Sequence, residues 1–283
     1  MRRSRRSVVH GLALAAAGTA GAVGFAGFGA GRASNATTAL VAGSLLELAS
    51  DIPGASVEAH GSVAVRRLVL DGLREPDAVA LADPRLFAGI SERGTTFATN
   101  AVVLAYDPGS VHADAIASDW AAAIGNPDLS LGRTDPQKDP LGYRTVMALR
   151  LADRRYGVDA DAALEGSSVF LETDLLNVLA GGQLDAAFAY RNMAEQRDLS
   201  YVELPDDVDF SNPAYADVYR TVSCDIGEQT VRGAPIAYAA SALSEAGGPW
   251  VERLVTAGEA LREAGFVVPA GYPRRDVRLA ATT

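Results

Sequence analysis

From Thr38 onward, short continuous apolar runs alternate with stretches of helical periodicity, the pattern of an α/β fold. Residues 39–42 (ALVA) read as a buried strand halted by Gly43-Ser44, and 45–49 (LLELA) as a helix behind it. Ser62 stands where it can cap a second helix, in which Val65, Leu68, Val69 and Leu73 recur at helical spacing. Residues 78–81 (AVAL) form the next predicted strand, ending at Ala82-Asp83-Pro84. The run 97–106 (FATNAVVLAY) is long enough to be a strand that crosses from one lobe to another, and 234–239 (APIAYA) lies where the chain could cross back. Between them, 174–179 reads as a helix stopped by Gly181-Gly182, and 186–190 as a strand. A last helix over 250–264 places Val251, Leu254, Val255 and Leu261 on one face. Two crossings predict two lobes with a cleft between them. The first lobe is expected from 37–98 with 233–283, the second from 99–232.

Residues 1–36 break this pattern and read as an address. Paired arginines in Ser4-Arg5-Arg6-Ser7-Val8-Val9 precede an uncharged run rich in Ala and Gly from Gly11 to Gly31, as in a twin-arginine export signal. The glycines make the run a poor isolated helix, which favours a signal over a membrane anchor. Cleavage is expected among Ala30, Ala33 and Ala36, and the location is extracellular or at the cell surface. Asn35-Ala36-Thr37 is also a glycosylation tripeptide, a pattern that arises often by chance.

Charge changes the picture more than composition does. The 283 residues hold 25 basic and 35 acidic side chains, and all five basic residues of the first 32 sit among no acids, so the remainder is more acidic than the net −10 suggests. Lys138 is the only lysine. An acidic surface almost free of lysine fits high salt, and it leaves no basic stripe for nucleic acid. Cys224 is the only cysteine, so neither an internal disulfide nor a cysteine metal cluster is available, and it reads as a small buried hydrophobe.

An acidic body does not exclude an anion ligand if the attraction is local. Gly43-Ser44 and Gly61-Ser62 each stand where a strand turns into a helix, and unpaired N–H groups at a helix start bind oxyanions without a lysine or arginine. More specific is Thr134-Asp135-Pro136-Gln137-Lys138-Asp139-Pro140-Leu141-Gly142-Tyr143-Arg144: two Asp-Pro steps followed by Gly-Tyr-Arg are demanded by no standard turn.

With these residues in view the chain resembles the archaeal-type molybdate/tungstate-binding component of ABC importers. The resemblance rests on AGSL (42–45), GSVAVR (61–66), FATNAVVLAY (97–106), the stretch 126–157, the stretch 172–194, YVELPDD (201–207) and APIAY (234–238). It implies a two-lobed, type II periplasmic-binding-protein-like fold, each lobe a mixed sheet flanked by helices. It further implies that Gly43, Ser44 and Ser62 donate to the oxyanion, with the Pro140-Leu141-Gly142 turn and the Tyr190 hydroxyl beside it. Asp139 and Glu172 would bond the Mo or W atom itself, since these metals can expand from four to six oxygen ligands and the sulfur of sulfate cannot. The two acids would then reject sulfate and phosphate by uncompensated repulsion. Asp135 is the alternative to Asp139; the Gly-Tyr-Arg after Asp139 favours the latter. His60 and Leu141 depart from the family pattern: His60 either donates in place of a hydroxyl or points to solvent, and Leu141 would act through its backbone. The implied partners are molybdate or tungstate and a membrane permease, with the protein a monomer that carries no cofactor.

The rival class is a secreted hydrolase. Apart from His10 the only histidines are His60 and His112, neither in a nucleophile-elbow or zinc-protease context, and no aromatic platforms flank Asp139 and Glu172 to hold a sugar. Binding of an oxyanion, with sulfate as the other choice, is therefore the expectation.

Overall fold

The computed structural model describes residues 36–279 of the chain; the export signal and linker expected over 1–36, and Asn35 of the glycosylation tripeptide, lie outside the described residues save for Ala36. The chain opens with β1 (Thr38–Ala42), α1 (Leu46–Asp51), β2 (Ser56–His60), α2 (Ser62–Leu70), β3 (Ala78–Leu81) and β4 (Arg93–Ala98). It continues with β5 (Val102–Tyr106), α3 (Ala113–Ser118), α4 (Trp120–Ile124), β6 (Leu131–Thr134), α5 (Pro140–Tyr156), α6 (Ala160–Gly166) and β7 (Ser168–Phe170). Then come α7 (Leu175–Ala180), β8 (Ala186–Tyr190), α8 (Arg191–Glu195), β9 (Ser200–Glu203), α9 (Ala216–Tyr219) and the hairpin β10 (Ser223–Ile226) with β11 (Gln229–Arg232). The last elements are β12 (Tyr238–Ala242), α10 (Gly248–Thr256), α11 (Gly258–Glu263) and β13 (Arg274–Arg278).

Two mixed sheets result, in the orders β13-β4-β12-β3-β1-β2 and β7-β6-β8-β5-β9. In the first, β1 runs parallel to β2 and β3. In the second, β6 runs parallel to β7 and β8. Covered sheets need strands that are apolar on both faces, which is why β3, and β1 beyond Thr38, are buried at every position.

The apolar run 97–106 is not one strand. It ends β4 in the first sheet at Ala98 and begins β5 in the second at Val102. The polar residue within it, Asn100, supplies the break: its fully buried side chain accepts the Ala101 N–H at 2.9 Å, replacing a ladder bond where the chain changes sheets. The return run becomes a strand only at Tyr238, since Pro235 has no N–H and the Ile236 N–H bonds the Phe210 carbonyl instead.

Three further expectations are corrected. Ser62 does not cap α2, whose N-cap is Gly61; its hydroxyl accepts the Ala82 N–H at 3.1 Å. Leu73 lies beyond α2 and is exposed. The last helix splits at Ala257, which leaves the helical region ahead of Gly258. Cys224 is buried, as read from the sequence.

Candidate functional site

Every expected site residue lies at or just beyond the carboxyl end of a strand, or at the helix start that follows one. Gly43 and Ser44 follow β1, Gly61 and Ser62 follow β2, and the Asp139 turn follows β6. Glu172 follows β7, and Tyr190 ends β8. Carboxyl ends of parallel strands are where open α/β sheets collect ligands, because loops and helix starts converge there. The chain brings both sets of ends together. Gly43 donates its N–H to Glu172 Oε2 at 3.1 Å, and Ala64 at the start of α2 donates to the Lys138 carbonyl at 2.9 Å. Gly61 has no room for a side chain: a Cβ there would stand 2.5 Å from the Lys138 carbonyl oxygen and 2.6 Å from Asp139 Cβ. A small cleft opens beside these contacts, lined by His60, Gly61, Ala64, Lys138, Asp139, Leu171, Glu172 and Thr173.

Asp139 is the N-cap of α5 and is 1% exposed. Its Oδ1 accepts both the Gly142 N–H and the Thr134 hydroxyl, each at 2.8 Å. The turn amides are thereby committed: Gly142 donates to Asp139, and Pro140, first residue of α5, has no N–H. As a donor to a ligand Pro140 fails. It contributes a fixed φ, and Leu141 is a buried residue whose amide lies close enough to favour the Asp139 anion. Asp135 is partly exposed, pairs with Lys138 at 3.4 Å and does not line the cleft.

Glu172 is 3% exposed, and its Oε1 is buried without a partner. Burial pushes Asp139 up to about 7, against the Gly142 and Thr134 bonds that favour its anion. Burial, and then the nearby Asp139, hold Glu172 well above the ordinary carboxylate range, opposed by the Gly43 and Ser44 groups. An orphaned buried carboxyl oxygen costs about 1–3 kcal/mol, so this arrangement is held against a penalty.

Behind the pair lies a buried polar network that sequence reasoning did not assign. Arg144, 1% exposed, donates to the Tyr190 hydroxyl at 2.6 Å and to the Ala82 carbonyl at 2.9 Å. Asp83 accepts from Tyr143 at 2.6 Å and pairs with Arg85 and Arg144. Burial opposes ionisation of Asp83, but Arg85 and Arg144 outweigh it and hold its carboxyl below the usual range. The Gly-Tyr-Arg motif was the signal for this network, since Tyr143 and Arg144 are two of its members. Tyr190 accepts from Arg144, which leaves its own proton to donate; Ser62, accepting from Ala82, is in the same position. His60 settles halfway: it faces the cleft rim while its Nε2 bonds Glu58 at 2.8 Å.

Two sheets joined by crossing segments, with buried polar groups gathered at their facing strand ends, define a two-lobed ligand-binding protein. The chain belongs to the bacterial extracellular solute-binding protein family, which it matches over residues 54–267. It is 45% identical over 250 residues to a Haloferax volcanii protein provisionally named an ABC transporter molybdenum-binding protein, covering 83% of this chain and 82% of that one. It is 33% identical over 224 residues to the molybdate/tungstate-binding protein WtpA of Thermococcus kodakarensis, covering 67% of this chain and 63% of that one. Among solved structures, the Azotobacter vinelandii periplasmic molybdate-binding protein matches with a TM-score of 0.59 at 15% identity, over 82% of this chain and 99% of that one. The sulfate-binding protein SubI of Mycobacterium tuberculosis matches at 0.53 and 14%, over 87% and 89%. At such identities the structural likeness is one of fold, and that fold is the type II binding-protein fold expected from the sequence.

Proposed function

We propose that this chain captures molybdate or tungstate outside the cytoplasm and delivers it to an ABC importer. The observation that carries the reading is the meeting of two buried carboxyls, Asp139 and Glu172, with the Gly43 amide at facing strand ends. Two acids are a poor welcome for sulfate or phosphate, whose central atoms take no further oxygen ligand; they suit a metal that does. Ser44, Ser62 and Tyr190 supply hydroxyl protons and the start of α2 the positive end of a helix, while Gly43 shares its N–H between Glu172 and the anion. The names of the Haloferax and Thermococcus relatives point the same way.

The working cycle in this reading is closure of two lobes, 37–98 with 233–283 against 99–232, about the segments near 99–101 and 234–238. Closure brings Asp139 and Glu172 onto an anion already held from the first lobe. The protein acts as a monomeric binder without a cofactor, exported by the twin-arginine route, with an acidic surface suited to high salt.

Calorimetric titration with tungstate, molybdate and sulfate tests the reading. Submicromolar binding of the first two with sulfate excluded is expected, and Asp139→Ala with Glu172→Ala should abolish that selectivity. A double variant that bound tungstate as tightly as wild type would sink metal coordination; preference for sulfate would replace the ligand.

A further inference from the structure

Four buried residues, two of them in the crossing segments, form a closed hydrogen-bonded ring through three side chains and both the hydroxyl and carbonyl of Ser44: Ser44, Tyr238, Asn100 and Asn192. Ser44 Oγ and the Tyr238 hydroxyl are 3.0 Å apart, and Asn100 Nδ2 lies 3.3 Å from that hydroxyl. Asn100 Nδ2 also donates to Asn192 Oδ1 at 2.7 Å, and Asn192 Nδ2 donates to the Ser44 carbonyl at 2.8 Å. Geometry leaves the direction of the Ser44–Tyr238 bond open, because either hydroxyl could donate.

The rest of the ring closes that choice. Asn100 Oδ1 accepts the Ala101 N–H at 2.9 Å, with the Asn192 N–H at 3.5 Å, so its orientation is set by backbone donors that cannot reverse. Its Nδ2 must then face Tyr238 as a donor. The Tyr238 oxygen accepts from Asn100, whose Nδ2 cannot accept in return, so among the described residues the one acceptor within reach of the Tyr238 proton is Ser44 Oγ. Ser44 Oγ accepts, and its own proton is directed away from the ring, beside the Gly43 amide that meets Glu172.

We infer that Asn100, acting through Tyr238, makes Ser44 an obligate donor toward the bound oxyanion. Asn100 and Tyr238 are positioning residues in this scheme, and the inference rests on the proposed oxyanion site. A proton aimed at the ligand bonds an ionised oxygen more strongly than a neutral one, so this arrangement favours a fully ionised oxyanion. It also places the control of ligand protonation state in the segment where the chain changes sheets.

Asn100→Asp tests the direction. A carboxylate accepts from Tyr238, Tyr238 then accepts from Ser44, and the Ser44 proton is withdrawn from the ligand. Tungstate titrations at pH 8 should show Asn100→Asp weakened by about tenfold, as Ser44→Ala is, the loss of one hydrogen bond to a charged group. Adding Tyr238→Phe to Asn100→Asp should restore most of that loss, because Ser44 no longer has Tyr238 to donate to; a merely structural defect would not be rescued. A double variant no better than Asn100→Asp overturns the inference, and so does Asn100→Asp binding as wild type. If Asn100→Asp shows no cooperative melt, Tyr238→Phe decides alone: a measurable loss smaller than that of Ser44→Ala supports the scheme, while no loss, or one as large as that of Ser44→Ala, overturns it. Failure of the wild-type chain to bind tungstate or molybdate would instead overturn the proposed function, and this inference with it.

Discussion

Gly43 and Glu172 follow strands of different sheets and meet backbone to side chain: the Gly43 N–H donates to Glu172 Oε2, and a Cβ at position 43 would stand 2.8 Å from that oxygen. The absence of a side chain at 43 is therefore a requirement of the approach. Gly43→Ala should push the Glu172 carboxyl off its amide and lower tungstate affinity by about tenfold or more, with a stability cost of only about 1–3 kcal/mol. Calorimetry beside a urea melt separates the two; unchanged affinity would show that Glu172 need not approach Gly43 to do its work.

The buried acids also set a pH dependence of stability. The native Asp139 carboxyl, pushed up to about 7 by burial, keeps a proton that the unfolded chain loses above about 4, and burial raises Glu172 well above its ordinary range in the same sense. Wherever the native state holds more protons, stability falls as pH rises, so their contribution is fullest below pH 4 and declines through pH 7. Asp209, raised by burial to about 6, adds to the same slope. Asp83 works in the opposite sense, since its contribution is lost only as pH falls below the ordinary carboxylate range. Urea melts of the ligand-free protein from pH 4 to 8 should show this decline, and Asp139→Asn with Glu172→Gln should flatten most of it. An identical slope in the double variant would mean that these acids ionise freely in the native protein.

Much of this was legible before any coordinates. Apolar runs such as 39–42 and 186–190 read as buried strands, Asp139 stood in a stretch that no standard turn demands, and Gly43 and Glu172 were marked by the family resemblance. What escaped was set by partners distant in sequence. Ser62 reads as a helix cap by its neighbours, yet its hydroxyl serves Ala82, twenty residues away. Pro140 and Gly142 read as a donor turn, but the nearest acceptor for Gly142 was the adjacent Asp139 itself. Asn100 was visible as the one amide in an apolar run, but only the fold shows that its partners are Asn192 and Tyr238. Arg144 and Asp83, 61 residues apart, carry no local sign of being a pair.

The Asp83 network supplies a last prediction. One buried carboxylate serves two guanidiniums, Arg85 and Arg144, and the Tyr143 hydroxyl. Arg85 is about one third exposed and can turn to water if its partner is lost, whereas Arg144 is 1% exposed and cannot. Asp83→Ala should therefore cost about 3–5 kcal/mol, the penalty of stranding a buried charge, while Arg85→Ala should cost clearly less. Replacing both buried partners, Asp83→Leu with Arg144→Met, should recover much of the stability lost in Asp83→Ala, because no charge is left unpaired. It should not recover tungstate affinity, since Tyr190 loses the guanidinium that holds its hydroxyl in place. Urea melts and calorimetry on the three variants check both halves; an Asp83→Ala chain no weaker than Arg85→Ala would mean that Arg144 finds its counter-charge elsewhere.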